Sequence, residues 1–135
     1  MANRPRVFDS WALIAFLEDE PAADKVQELI AEAQDLEDGL LITAINLGEV
    51  WYSLARVRSE GDADRAIKEI LGLGFQIVEI GWELANHAAK LKARHKLAYA
   101  DCFAVALAQQ RKLEVVTGDP EFKQLQNQVK VHWLS

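Results

Sequence analysis

The sequence has a single cysteine, Cys102, and only three prolines among its 135 residues. One cysteine excludes an intramolecular disulfide and is typical of a protein from a reducing cytoplasm. No apolar run approaches the roughly 20 residues that a membrane-spanning helix needs. The segment Met1–Pro5 lacks the apolar core of a signal peptide. We therefore expect a soluble, cytoplasmic protein that does not enter a membrane.

Several sequence features that support common hydrolytic mechanisms are also missing. There is no glycine-rich phosphate loop of the Walker type. A metal-free ribonuclease usually needs a general acid and a general base, often two histidines. His87 and His95 lie on one predicted helix and His132 lies in the last predicted strand, so we interpret all three as structural or surface residues. Cys102 lies in an apolar helix, which favours a core position over a nucleophile.

Basic residues are in the minority, and the formal net charge is −6. This charge argues against a nucleic-acid partner, because phosphate binding favours Lys and Arg. The distribution is uneven, however. The chain up to Leu40 has ten acids and three basic residues, whereas the segment from Leu84 to Leu113 has six basic residues around one acid, Asp101. That segment is compatible with an anionic substrate, although a solvated helix face is the simpler interpretation.

Residues 1–135 suit one compact domain, and half of them are apolar, which is enough for a hydrophobic core. Five short runs rich in Val, Ile, Leu and Phe are typical of buried parallel strands: Arg6–Asp9, Leu40–Thr43, Gln76–Ile80, Glu114–Thr117 and Lys130–Trp133. Helical stretches alternate with them, at Trp11–Leu17, Ala22–Leu36, Ile45–Ser59, Ala63–Leu71, Trp82–Arg94 and Tyr99–Arg111. This alternation predicts an α/β fold with a mostly parallel sheet and helices on both faces.

Two acids directly follow predicted strands. Asp9 follows Arg-Val-Phe and precedes a helix, and Asp119 follows Val-Val-Thr-Gly and precedes Pro120. Each has a structural explanation, because Asp caps the free N–H groups of a helix and Pro favours the first helical turn. Thr117 is placed to hydrogen-bond a neighbouring carboxylate or to serve only as a strand residue. Because active sites of open parallel sheets lie at the carboxyl ends of the strands, both acids are also candidate site residues.

Two further acids lie in helices. Asp101 is in the first turn of Tyr99–Arg111, a helix that is apolar almost all round. A helix dipole favours an acid there, but a charge in apolar surroundings is costly unless it is paired or binds a metal, so we favour a functional role. Glu49 has capping-box spacing from Asn46 and could reach back to a backbone N–H. Its helical position does not settle its role.

The joint placement of the four acids favours a metal site. Asp9, Asp101 and Asp119 lie at helix starts, and two of these three lie just beyond strand ends. Mg²⁺ and Mn²⁺ prefer carboxylate oxygens. Such sites hydrolyse phosphodiesters by activating water and neutralising charge on the phosphate.

The segments VFDSWALIAFL, ITAINLGEVWYSLAR, LAYADCFAVALA and VVTGDPEFKQL occur in the order found in PIN domains. The whole chain resembles this family, especially the VapC-type toxins of bacterial toxin–antitoxin pairs. The resemblance implies a three-layer α/β/α sandwich with a five-stranded sheet and an acidic site formed by Asp9, Glu49, Asp101 and Asp119. Asp9 and Asp101 would be the direct Mg²⁺ or Mn²⁺ ligands, and Thr117 would support them. Asn46 and Cys102 depart mildly from the family, which often has a hydroxyl residue and an alanine there.

The resemblance also implies a metal-dependent endoribonuclease that cleaves RNA and is held in check by a cognate antitoxin. The family commonly forms homodimers, for which Trp51 and Tyr52 could supply a surface, although core packing explains both equally well. A non-catalytic PIN-like module that binds RNA or protein is the alternative. A receiver or haloacid-dehalogenase-like domain ranks behind, because Asp9-Ser10-Trp11 offers neither an adjacent acidic pair nor Asp-x-Asp. The sequence does not exclude a DNA nuclease.

Overall fold

A computed structural model describes residues 4–134 of the chain. In this range five strands form one sheet in the order β3-β2-β1-β4-β5. The strands are β1 (Arg6–Phe8), β2 (Leu40–Thr43), β3 (Gln76–Val78), β4 (Glu114–Thr117) and β5 (Val131–Trp133). Every neighbouring pair is parallel, which confirms the predicted sheet. Part of the segment assessed for a signal peptide, residues 1–3, lies outside the described residues.

Helices cover both faces of the sheet. They are α1 (Ser10–Leu17), α2 (Ala23–Ala33), α3 (Ala44–Val57), α4 (Glu60–Gly72), α5 (Trp82–Arg94) and α6 (Tyr99–Arg111), followed by a 3₁₀ helix at Pro120–Leu125. Apolar residues of α1 to α4 form one core with one face of the sheet, and those of α5, α6 and the 3₁₀ helix form a second core with the other. The predicted three-layer sandwich is therefore confirmed. No helix within residues 4–134 is long and apolar enough to cross a membrane.

Strand residues alternate between the two cores. Val7 and Val115 contribute to the core beneath α5 and α6, while Phe8 and Val116 contribute to the core beneath α1 to α4. Since successive strand side chains point to opposite faces, a strand buried on both sides is apolar at every position. This explains why the runs of the inner strands β1, β2 and β4 are continuous rather than alternating. The edge strands β3 and β5 are exposed or half-buried, so the prediction that all five strands are buried is wrong for these two.

The strand order reverses between β1 and β4. The chain builds outward from β1 to β2 and β3, then crosses to the other side of β1 to form β4 and β5. Because crossovers between parallel strands are right-handed, this reversal places α5 and α6 on the face opposite α1 to α4. The carboxyl ends of β1 and β4 flank the crevice that such a reversal opens, which is where open α/β sheets bind ligands.

Several element boundaries differ from the prediction. α4 begins at Glu60, three residues earlier than predicted, because Ser59 caps it by accepting a hydrogen bond from the Asp62 N–H. β3 ends at Val78, beside Thr43, since its only neighbour β2 ends there. α2 ends at Ala33, before a turn in which a Cβ on Gly39 would lie 2.3 Å from the Ala33 carbonyl oxygen.

A buried ion pair joins β1 and β4 at the end of the sheet opposite the acids. Arg6 Nε donates to Glu114 Oε1 at 2.5 Å, and both residues are buried. Burial alone would raise the pKa of Glu114, but the hydrogen bond and charge of Arg6 hold it below its usual range. The sequence analysis did not find this pair, because the two residues are 108 positions apart.

Candidate metal centre

Asp9 is a fully buried carboxylate at the junction of β1 and α1. It caps α1 by accepting a hydrogen bond from the Ala12 N–H at 2.9 Å, and the Thr117 hydroxyl donates to its other oxygen. The pKa of Asp9 is raised from 3.8 to about 8. Burial is the main cause, the two hydrogen bonds act against it, and the negative charges of Asp101 and Asp119 add to it. Asp9 is therefore a helix cap, as its position before a predicted helix indicated, and it also belongs to a group of acids.

Thr117 connects the ends of β1 and β4. Its hydroxyl oxygen accepts a hydrogen bond from the Asp119 N–H at 3.0 Å while its proton is donated to Asp9. Asp119 caps the 3₁₀ helix, since its Oδ1 accepts from the Glu121 N–H at 2.9 Å. Both structural explanations for the acids after strands are therefore realised, and Thr117 does contact a carboxylate.

Gly118 allows the chain to pass close to the Trp11 ring. A Cβ at this position would lie 2.2 Å from a ring carbon of Trp11, far inside van der Waals contact. Only glycine fits between β4 and α1 here without displacement of the indole. This close approach fixes where Asp119 emerges from β4.

Asp101 differs from the other two aspartates because it has no capping role. The N-cap of α6 is Ala98, with no side-chain cap. Within residues 4–134 no group donates a hydrogen bond to the Asp101 carboxylate, although the residue is only 8% exposed. Burial raises its pKa from 3.8 to about 7, followed by the charges of Asp119, Glu49 and Glu121. Its oxygens still reach solvent, because no fully buried polar side-chain atom within residues 4–134 lacks a hydrogen-bond partner, so this position among acids is accessible to a cation.

Glu49 faces Asp101 from α3. Ser10 Oγ donates to its Oε1 at 2.7 Å. The capping-box explanation for this residue is wrong, because α3 begins at Ala44 and is capped by Thr43, so Glu49 lies in the second turn. The charge of Glu49 is one of the influences that raise the pKa of Asp101.

Asn46 holds α3 against the start of α6. Its Nδ2 donates to the Ala100 carbonyl at 3.1 Å, and its Oδ1 accepts from the Thr43 hydroxyl at 2.6 Å. This fully buried residue therefore fixes the peptide immediately before Asp101 relative to the end of β2. The amide performs this task where the related family often has a hydroxyl.

Glu121 is an acid that the sequence analysis missed. One carboxylate oxygen from each of Asp101, Asp119 and Glu121 lies within 4.8 Å of the others, close enough to share one cation. The sequence signal was its position two residues after Asp119, where the helical turn brings its backbone N–H onto the Asp119 carboxylate. An exposed acid in a short turn gives no such indication by itself.

The donor set suits a hard divalent cation. All of the candidate ligand atoms are carboxylate oxygens, which Mg²⁺ and Mn²⁺ prefer. Asp9 has already engaged both oxygens, but each carboxylate oxygen has a second lone pair for a ligand. The charges that act on Asp9 and Asp101 all come from acids, so a cation would relieve repulsion at both.

The basic segment predicted around Asp101 does not surround it in space. Lys90 and Arg94 line a cavity with Gln109, which lies eight residues beyond Asp101 on α6, about 12 Å along the helix axis. Lys92 is exposed, and its Nζ donates to the Leu97 carbonyl at 2.9 Å. Helical spacing sends neighbouring cations of one segment in different directions, which the charge count cannot show.

His87 and His132 contact groups outside the acidic site, whereas Cys102 directly follows Asp101 in the chain. His87 contacts the Gln109 side chain at 2.7 Å, and His132 lies 3.4 Å from Glu114 at the opposite end of the sheet. Cys102 is buried, and burial raises the pKa of its thiol to about 11. A thiol with that pKa is not a thiolate near neutral pH, which agrees with a core position.

A family model described as PIN domain matches residues 6–128. The chain belongs to this family. The match begins with β1 and ends after the 3₁₀ helix, so it includes the five candidate acids: Asp9, Glu49, Asp101, Asp119 and Glu121. No relative was found among curated proteins.

Solved structures share the fold of this PIN domain at low sequence identity. VapC20 of Mycobacterium tuberculosis, described as a toxin that cleaves the sarcin–ricin loop, is 16% identical with a TM-score of 0.72, covering 88% of this chain and 93% of that one. A toxin–antitoxin complex from Klebsiella pneumoniae is 22% identical with a TM-score of 0.71, over 96% and 98%. DNA-bound VapBC from Salmonella typhimurium is 14% identical with a TM-score of 0.73, over 98% and 99%.

Proposed function

We propose that this PIN domain is a Mg²⁺- or Mn²⁺-dependent endoribonuclease, the toxin of a toxin–antitoxin pair that acts in the cytoplasm. The observation that carries the proposal is the environment of Asp101. Asp101 is largely buried, its carboxylate receives no hydrogen bond from a described residue and still reaches solvent, and burial together with Asp119, Glu49 and Glu121 raises its pKa. Folding places such a group at a cost, which a bound cation removes.

Each acid has a distinct role in the proposed site. Asp9, Asp101 and Asp119 hold the cation, and Glu121 completes its ligands from the 3₁₀ helix. When bound, the cation supplies a water activated for attack and neutralises charge on the phosphate. Glu49 is held through Oε1 by Ser10, which leaves Oε2 to hydrogen-bond and orient that water.

Thr117 keeps the ligands oriented. Its hydroxyl fixes Asp9 and the backbone at Asp119 at the same time, so two ligands from different strands keep one spacing. Groups that orient metal ligands in this way commonly contribute 10- to 100-fold in affinity or activity, roughly.

The proposed partners are an RNA substrate, a cognate antitoxin and a second copy of the chain. The related structure from Klebsiella is described as a toxin–antitoxin complex, which supports an antitoxin. An inhibitor that inserts Arg or Lys among the carboxylates would satisfy the same charges as a cation. For the homodimer, exposed Tyr52 remains a candidate contact, whereas Trp51 packs within the chain and donates to Asp64 at 2.8 Å.

Cleavage of RNA by the purified protein tests the function. With Mn²⁺ or Mg²⁺ it should cleave RNA to 5′-phosphate and 3′-hydroxyl ends, and EDTA or Asp101→Asn should abolish cleavage. A 2′,3′-cyclic phosphate product would contradict the mechanism, because that product requires attack by the ribose 2′-OH. Binding of RNA without any cleavage would favour the non-catalytic module. Expression without harm to growth, despite cleavage in vitro, would contradict the toxin role.

A further inference from the structure

Two adjoining cavities form a groove along α5 and the C-terminal end of α6. One has a volume of about 540 Å³ and is lined by Lys90 and Arg94 of α5. The other has a volume of about 490 Å³ and is lined by Lys112 and Lys130, beside the start of β4. Both cavities include Gln109 and Gln128, so they are continuous. We call this surface the α5–α6 groove.

The α5–α6 groove is mostly basic, whereas the proposed metal site is acidic. Its lining contains the basic residues Arg4, Lys90, Arg94, Lys112 and Lys130 and the acids Glu83 and Glu114. Glu114 is engaged by Arg6 through Oε1, and Lys130 lies 3.9 Å from its Oε2. Within residues 4–134 neither Lys90, Arg94 nor Lys112 forms an ion pair. A chain with a net charge of −6 thus concentrates unneutralised cations on one surface.

Amide side chains that line the groove are held by hydrogen bonds to the backbone and to His87. Gln109 Nε2 donates to the Gln128 carbonyl at 3.2 Å, and Gln109 Oε1 lies 2.7 Å from His87 Nε2. Gln110 contacts the other nitrogen of the same imidazole at 3.2 Å. The groove is therefore lined by hydrogen-bonded amides and by cations, whereas a docking surface for a protein usually has an apolar centre.

Lys112 has an unfavourable backbone conformation. It follows α6 with φ of +56° and ψ of +46°, the left-handed conformation that favours glycine or asparagine after a helix. A long side chain is retained here and lines the groove. Local strain of this kind is often found where a side chain has a function.

The groove is separate from the carboxylates. None of the five acids of the site lines either cavity, and Gln109 lies about 12 Å along α6 from Asp101. Lys90 and Arg94 line one cavity and Lys112 and Lys130 line the other, so the cations are distributed along the groove. A row of separated cations fits a chain of phosphates better than a single anion.

We propose that the α5–α6 groove binds the phosphate backbone of the RNA at a distance from the cleaved bond. This inference rests on the proposed ribonuclease function and adds that the substrate extends beyond the nucleotides at the acidic site. Binding there holds the RNA without placing cations beside the metal ligands. The competing explanation is that Arg94 and Lys112 only stabilise the C-terminal ends of their helices.

The experiment compares Lys90→Gln/Arg94→Gln with the matched control Lys25→Gln/Lys68→Gln. The control removes two exposed cations from α2 and α4, on the other face of the sheet. Binding to a fluorescein-labelled RNA of about 16 nucleotides and to a labelled tetranucleotide, the short reference substrate, is measured by anisotropy across a salt series in EDTA. Loss of two phosphate contacts should reduce the salt slope for the longer RNA by about 1.4, at roughly 0.7 per contact. The tetranucleotide and the control should show no change.

Activity and stability separate the remaining explanations. With Mn²⁺, kcat/KM of the groove variant should fall several-fold for the longer RNA and stay constant for the tetranucleotide. If the wild type cleaves RNA and the groove variant has the same salt slope as the control variant, the proposal that the groove binds RNA is overturned. A wild type that binds RNA through the groove without cleaving it would overturn the ribonuclease instead. If the groove variant loses thermal stability while its RNA binding is unchanged, the cations serve the helix ends. If the groove binds fluorescein-labelled polyglutamate but not labelled RNA, its ligand is an acidic protein.

Discussion

The Thr117 hydroxyl donates a hydrogen bond to Asp9 and accepts one from the Asp119 N–H. One hydroxyl therefore links the carboxyl ends of β1 and β4, the two strands between which the strand order reverses. Because both carboxylates belong to the proposed metal site, the spacing of its ligands depends on a residue that touches no substrate.

Replacing Thr117 with valine tests this dependence. The change keeps the shape of the side chain but removes the donor to Asp9, so Mn²⁺ affinity should fall by about 10- to 100-fold. Isothermal titration calorimetry measures the affinity. Thr117→Ser keeps the hydroxyl and should retain most of the affinity. A loss of affinity in Thr117→Ser but not in Thr117→Val would show that packing of the methyl group matters rather than the hydrogen bond.

Asp101→Asn separates a metal ligand from a structural acid. Removing the charge relieves repulsion from Asp119, Glu49 and Glu121, so the metal-free variant should be at least as stable as wild type. The thermal shift that Mn²⁺ produces in wild type should largely disappear, because a ligand stabilises only the state that binds it. Differential scanning fluorimetry measures both effects. Equal Mn²⁺ shifts in the two proteins would contradict the assignment of Asp101.

The pH dependence of metal-free stability follows from the raised pKa values. Asp9 and Asp101 stay protonated in the folded state up to about pH 8 and 7, whereas the unfolded chain releases these protons near 3.8. Their contribution to stability is therefore fully present below about pH 4 and is lost as pH rises through 7 and 8. Urea unfolding in EDTA should show a smaller fall in stability between pH 5 and 8 for Asp101→Asn than for wild type. Parallel curves would contradict the raised pKa of Asp101.

Gly118→Ala should destabilise the protein. The added Cβ would lie 2.2 Å from the Trp11 ring, and relieving this overlap costs about 1–3 kcal/mol. Gly48→Ala is the matched control, because no atom lies within 4 Å of its added Cβ and alanine favours the interior of α3 by about 1 kcal/mol. Chemical denaturation should thus show changes of opposite sign. A neutral Gly118→Ala would mean that the indole moves at little cost.

The sequence by itself determined the elements and the placement of most acids. Continuous apolar runs such as Leu40–Thr43 predict strands buried on both faces, and the alternation with helices predicts the parallel sheet. The same logic places Asp9 and Asp119 at one edge, because parallel strands end on the same side. Thr117, Ser59 and Asn46 each form a local hydrogen bond that spacing could anticipate, but the bonds of Thr117 to Asp9 and of Asn46 to Ala100 join distant parts of the chain.

Only the tertiary structure decided which groups meet across the chain. Ser10 reaches Glu49 from 39 residues away, and Arg6 reaches Glu114 from 108. These contacts depend on the strand order and on how α1, α3 and α6 pack. The local hydrophobic pattern of the sequence predicts neither the strand order nor this packing. Lys90 and Arg94 are the reverse case, since they are near Asp101 in sequence but line a separate groove. An α-helix turns by 100° per residue, so charges close in sequence diverge in direction while acids far apart converge at the ends of parallel strands.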